Sequence, residues 1–181
     1  MRTPKNRRLD RASLWDYALK TLAGRAGSTA EIRQKLEARA ERSEDVPGVM
    51  AQLRECGYLD DQRFAEGFAA ARLENQRLGR NRVVRDLRRR RVAPALAERT
   101  ASKVYEQVDE TALIEEWIRR KYRLAPRDGL FAEDRDMAAA YRRLLHAGFR
   151  SGDILKVLKR FARTPELLDS FEPPEEEPEE D

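Results

Sequence analysis

The chain holds one cysteine and one histidine among 181 residues. No disulfide can close within it, a zinc site built on Cys and His lacks its ligands, and a triad has a single imidazole to draw on. No run approaches the ~20 apolar residues that a membrane-spanning helix requires. The opening Met1-Arg-Thr-Pro-Lys-Asn-Arg-Arg8 leads into no apolar segment, which argues against a secretory signal. Val and Ile together number only twelve, and no segment alternates cleanly between apolar and polar, so strands are not expected. Without strands there is no place for a glycine-rich phosphate cradle. These absences lead us to expect a reduced, soluble, cytoplasmic protein that is not an enzyme and needs no cofactor or metal.

What the chain has is charge, at 39% of residues against 40% hydrophobic. The net charge of +4 hides a separation of sign. Residues 164–181 carry nine acids and no base, leaving 24 acids against 37 bases in residues 1–163, a net of +13. Thirty of the 37 bases are Arg, whose planar five-donor fork suits phosphate and carboxylate.

Apolar residues recur at helical spacing. Trp15, Ala18, Leu19 and Leu22 form one stripe, Ile32 and Leu36 a second, and Val46, Val49, Met50 and Leu53 a third. Further along come Phe64, Phe68 and Ala71, then Val83 and Leu87, then Leu96, Ala97, Ala101 and Val104. The last three are Leu113, Trp117 and Ile118, then Met137, Tyr141, Leu144 and Leu145, then Ile154, Val157, Leu158 and Phe161. Between them stand turn residues: Gly27-Ser28, Gly57, Gly79, Pro94, Pro126 with Gly129, and Gly148. Nine short helices are predicted, each too short to persist in water without packing on its neighbours.

The helices group in threes. Arg25-Ala-Gly-Ser28 followed by Ile32 and Leu36 resembles Arg77-Leu-Gly-Arg80 followed by Val83 and Leu87, 52 residues on for the turn and 51 for the apolar pair. Leu87-Arg-Arg-Arg-Arg-Val92 is echoed 57 residues on by Leu144-Leu-His-Ala-Gly-Phe149. The expectation is an all-α protein of three tandem three-helix repeats forming an elongated curved body. The repeats would span 13–58, 59–107 and 108–163, between a basic flexible arm at 1–12 and an acidic disordered tail at 164–181. Nine tethered acids could fold back on the basic face and compete with a polyanion, or serve only to solubilise the chain.

Gly57-Tyr-Leu-Asp-Asp-Gln-Arg-Phe-Ala65 reads as a helix stop followed by a start. Gly57 suits the left-handed residue that ends a helix, Tyr58 and Leu59 would seal the turn, and Asp60 caps the next helix with Asp61 beside it. Capping outweighs metal binding there, since the adjacent carboxylates point apart and no third ligand is evident. Cys56 is expected to be small and buried, Trp15 and Trp117 to lie in the core, and His146 to sit at a helix C-terminus.

The segment Arg77–Arg91 holds eight Arg and one Asp. With Val83 and Leu87 inward, Arg82, Arg85, Arg88 and Arg89 fall on the outward side as a basic ridge. Such a ridge suits phosphates or an acidic protein surface. Arg77 and Arg80 flank it, and Arg25, Arg33 and Lys35 are candidate contacts in the first repeat. Nothing implies base reading, and exposed aromatics are not obvious.

Arg25-Ala-Gly-Ser-Thr-Ala-Glu-Ile-Arg-Gln-Lys-Leu36, Gly57-Tyr-Leu-Asp-Asp-Gln-Arg-Phe-Ala65, Arg82-Val-Val-Arg-Asp-Leu87, and Lys121-Tyr-Arg123 with Gly148-Phe149 together resemble the RecX family of RecA regulators over about residues 13–162. The resemblance implies a protein that binds the groove of RecA filaments on DNA and suppresses ATP hydrolysis and strand exchange. A monomer is expected, in contact with single- and double-stranded DNA without strong sequence preference and with no membrane. Two rivals fit the composition: a helix-turn-helix transcription regulator, distinguished by strong preference for one duplex, and a helical scaffold for an acidic protein.

Overall fold

The computed structural model describes residues 8–122 and 134–161. Among them lie nine helices and no strand: α1 (Arg11–Gly24), α2 (Thr29–Glu37), α3 (Asp45–Glu55), α4 (Asp61–Gln76), α5 (Arg80–Arg89), α6 (Pro94–Tyr105), α7 (Glu110–Tyr122), α8 (Asp134–His146) and α9 (Ser151–Phe161). The protein is all-α, with one helix for each apolar stripe. The loop around Pro126 and Gly129 and the acidic tail at 164–181 lie outside the described residues, as do residues 1–7 of the expected arm. Residues 8–12 correct that expectation. Leu9 bridges Ala40 through Leu9 N–H to the Arg39 carbonyl and Glu41 N–H to the Leu9 carbonyl, both 2.8 Å. Asp10 then caps α1 by accepting from the Ser13 N–H, so the chain is already ordered where a flexible arm was expected.

Two compact units result. One takes the described residues up to Ala70 together with Val84–Val104; the other takes Ala71–Val83 and the described residues from Tyr105 on. The division falls inside α4 and α5, both of which contribute to each unit. The first unit packs α1, α2 and α3 on one another around Leu14, Ile32, Leu36, Val49, Met50 and Leu53. In the second, α9 packs on α7 and α8 around Ile114, Ile118, Met137, Tyr141, Leu144 and Phe149. The expected stripe of α1 is rotated, because Leu14 and Ala18 are its buried residues while Trp15, Leu19 and Leu22 are half-buried. Trp117 is likewise half-buried on the edge of its core.

Three helices end in the same way. After α3, Tyr58 N–H reaches the Leu53 carbonyl and Gly57 N–H the Arg54 carbonyl. Val92 and Arg91 repeat this on Leu87 and Arg88 after α5, and Phe149 and Gly148 on Leu144 and Leu145 after α8. The residue that turns left-handed is Gly57 (φ 71°), Arg91 (φ 57°) or Gly148 (φ 91°). This closure satisfies terminal carbonyls at the cost of a positive φ, which glycine adopts freely and arginine does not. The echo between Leu87–Val92 and Leu144–Phe149 is therefore a repeated helix stop. The other echo marks repeated helix starts, Thr29 of α2 and Arg80 of α5.

The basic run is anchored at both ends. In the first unit, Arg90 gives Glu31 two hydrogen bonds, 2.5 Å from Nε and 2.8 Å from Nη2, and Nη2 also donates to the Ala26 carbonyl at 2.8 Å. Its guanidinium covers the rings of Phe64 (4.9 Å) and Phe68 (5.5 Å), and its carbonyl accepts from the Ser28 hydroxyl at 2.6 Å. Those rings were expected to be the buried stripe of α4. Ala65 and Ala69 are fully buried instead, and the phenyl rings are half-buried beneath the cation. Ser28 and Glu31 also form a capping box on α2, so one carboxylate joins the start of α2 to the end of α5. Burial alone would push the Glu31 carboxyl up; the Arg90 hydrogen bonds, the Ser28 N–H and the Arg90 and Lys35 charges outweigh it and hold the group below its ordinary 4.5.

In the second unit, the turn between α8 and α9 meets the start of α5 backbone to backbone. Gly79 N–H donates to the Ala147 carbonyl at 2.8 Å and Asn81 N–H to the Gly148 carbonyl at 3.1 Å. A Cβ on Gly79 would overlap the Gly148 carbonyl and the Phe149 nitrogen, and one on Gly148 would overlap the Arg82 backbone.

Gly148→Ala should therefore cost ~3 kcal/mol or more, through overlap and positive φ together. Gly57→Ala, with open space around it, should cost only the ~1–2 kcal/mol of a left-handed alanine; urea denaturation distinguishes the two. Arg90→Ala should lose about 3 kcal/mol, because it strands a partly buried carboxylate. The Glu31 contribution is full above its ordinary 4.5 and fades as pH falls through the depressed folded value, so acid unfolding below that ordinary value should be steeper in the parent than in Arg90→Ala.

Candidate nucleic-acid interface

Arginines in a short run repel one another, so each must be paired, packed against carbonyls or left in water. The fold uses all three. In the first unit, Arg88 is exposed and its Nη2 lies 2.9 Å from Glu98 Oε1 on α6. Arg89 is exposed and 3.9 Å from Asp86 Oδ1. Arg85 is half-buried, with its Nε out of reach of solvent. The reason is that Val84, Asp86 and Leu87 are all buried, which draws Arg85 down between its neighbours. Arg25 is exposed beyond the end of α1, Arg33 is half-buried on α2, and Lys35 is exposed and near enough to Glu31 to help lower its pKa.

The remaining three candidates belong to the second unit. Arg77 holds a positive φ of 52° and its Nε is 3.8 Å from Glu116 Oε2. Arg80 is half-buried, and its backbone N–H donates to Glu110 Oε2 at 3.3 Å. Glu110, the first residue of α7, thus caps α5, a role that local spacing did not reveal. Burial pushes the Glu110 carboxyl up, opposed by the Arg80 N–H and by the charges of Arg150 and Arg80. Burial likewise pushes up the neighbouring Tyr105 hydroxyl, which donates to the Leu78 carbonyl at 2.5 Å. Arg82 is half-buried, with Nη1 donating to the His146 carbonyl at 3.1 Å.

The outward ridge of Arg82, Arg85, Arg88 and Arg89 is therefore corrected. Arg88 and Arg89 face water, while Arg82 and Arg85 are drawn into their surroundings. Arg91, the last residue of the run, is exposed as well. Sequence reasoning passed over exposed cations away from the run: Arg99 lies on α6 opposite buried Ala97 and Ala101, and Arg120 and Arg142 are exposed on α7 and α8. Arg99 could have been found by rotating the α6 stripe half a turn. No ion pair among the described residues engages Arg25, Arg91 or Arg99. Asp60 and Asp61 are both occupied by backbone donors, the Arg63 and Thr29 N–H groups. Cys56, expected to be buried, is exposed.

Exposed pairs such as Arg88–Glu98 contribute ~0–1 kcal/mol, so a phosphate can displace the carboxylate at little cost. No helix among the described residues is long and apolar enough to cross a membrane.

The family model for the second three-helix domain of RecX matches residues 60–100. The regulatory protein RecX of Trichlorobacter lovleyi is 31% identical over 141 residues, covering 78% of this chain and 90% of the relative. That of Escherichia coli is 30% identical over 167 residues, covering 87% and 96%. The crystal structure of RecX from Lactobacillus salivarius superposes with a TM-score of 0.65 at 16% identity, over 83% of this chain and 96% of the other, a likeness of fold. With the motif-bearing helices in place and relatives matched over nearly their whole length, the chain belongs to the RecX family of regulatory proteins.

Proposed function

We propose that this protein regulates the RecA recombinase by binding RecA filaments on DNA, in the cytoplasm and as a monomer, and that it lowers ATP hydrolysis and strand exchange without catalysing a reaction of its own. Family membership supports the target. The observation that supports the mode is the set of exposed guanidinium groups on the first unit: Arg25, Arg91 and Arg99, with no ion-pair partner among the described residues, Arg88, in an exposed pair with Glu98, and Arg89, exposed beside the buried Asp86. Cations held on packed helices but not neutralised there meet a long polyanionic assembly at many points, and contacts weak singly become strong together. Such binding would obstruct an incoming duplex and the subunit movements that accompany hydrolysis.

At stoichiometric amounts the protein should depress the single-stranded-DNA-dependent ATPase of RecA, and an unchanged rate would count against the reading. Replacing Arg88, Arg89 and Arg91 together with Ala should weaken that effect. It should also flatten the salt dependence of duplex-DNA binding by roughly 0.9 for each phosphate no longer neutralised, while helix content by circular dichroism stays as in the parent. Arg82 and Arg85 are poor choices for this test, since their side chains are drawn into the fold.

A further inference from the structure

Three helices close on the same left-handed turn, and the residue that follows has the same backbone role in each. Val92 is 3% exposed and Phe149 is 1% exposed; Tyr58 is 50% exposed. Two turns bury that side chain as the motif prefers, and the third presents a large aromatic ring to water. The ring is not loose. The Trp15 indole meets it edge to face at a centroid distance of 6.2 Å, and the Tyr58 N–H is fixed on the Leu53 carbonyl at 2.9 Å. A cation is fixed on the same turn, for Arg63 Nη2 donates to the carbonyl of Gly57, the residue before Tyr58, at 2.8 Å. Arg54, one turn back on α3, is exposed with no ion pair among the described residues. Asp60, two residues beyond Tyr58, is engaged by the Arg63 N–H.

We propose that Tyr58, braced by Trp15 and flanked by Arg63 and Arg54, is a stacking site for an unstacked base of single-stranded DNA. A flat, rigid, half-exposed ring offers a face to any base, and adjacent guanidinium groups hold the phosphates on either side. The turn then contributes what the arginines of α5 cannot, a preference for single strands over duplex, whose bases are stacked away. The inference rests on the proposed DNA-filament function and names one contact within it.

The test uses the full chain carrying Trp117→Phe, which leaves Trp15 as the sole indole. Binding of oligodeoxythymidylate and of duplex DNA of equal length is compared at low salt, with Trp15 emission followed in parallel. Tyr58→Ala should raise the Kd for oligodeoxythymidylate roughly 5- to 150-fold and leave the duplex nearly unaffected. Tyr58→Trp should restore binding, Tyr58→Leu should not, and Trp15 emission should respond to the single strand alone. Folded Tyr58→Ala that binds oligodeoxythymidylate like the parent overturns the site while leaving the DNA-filament function intact. So does equal rescue by Leu, or a loss confined to RecA filaments, which would make the ring a protein contact. A parent that binds no single-stranded DNA overturns both this site and the direct DNA contact of the proposed function.

Discussion

Eight arginines within fifteen residues, Arg77 to Arg91, would repel one another into an extended chain if none were neutralised. The Arg90–Glu31 pair anchors the helix end there. It removes one charge, covers two phenyl rings and ties the end of α5 to the start of α2. At the other end of the run, Glu110 receives the Arg80 N–H and the His146 carbonyl receives Arg82. The Arg90 and Arg82 cations, which would otherwise destabilise the helix, thus become ties that hold it.

The proposed function draws on what those ties leave over. Arginines at the two ends and on the inner side of α5 serve the fold, while Arg88, Arg89 and Arg91 stay in water. Arg91 shows the tension between the two uses. Its left-handed backbone would suit glycine better, yet the side chain is exposed and adds to the positive surface. A binding surface made this way is rigid at its roots and exchangeable at its tips, which suits a partner gripped at many phosphates.

Helix number, the all-α class and the Gly57 and Gly148 turns were readable from sequence, because apolar spacing and left-handed glycines are local signals. The Asp60 cap was readable for the same reason. What escaped was non-local. Nothing near Phe64 and Phe68 indicates that a guanidinium 26 and 22 residues away will cover them, so the buried stripe of α4 was read one residue off. Gly79 looked like a plain helix break, whereas it is required for close approach to a turn almost seventy residues on. Arg82 and Arg85 were placed outward by helix geometry alone, which says nothing of the carbonyl that takes up Arg82 or of the buried Val84, Asp86 and Leu87 around Arg85. Tyr58 was read as sealing its turn; its backbone does so, and its ring does not.

The central claim is that un-neutralised guanidinium groups on packed helices engage a recombinase-coated strand. Sedimentation with RecA assembled on single-stranded DNA, held by a non-hydrolysable ATP analogue, measures this most directly. The account predicts saturable co-sedimentation that weakens as salt rises. Protein that remains in the supernatant at low salt, with filaments intact in the pellet, would contradict it.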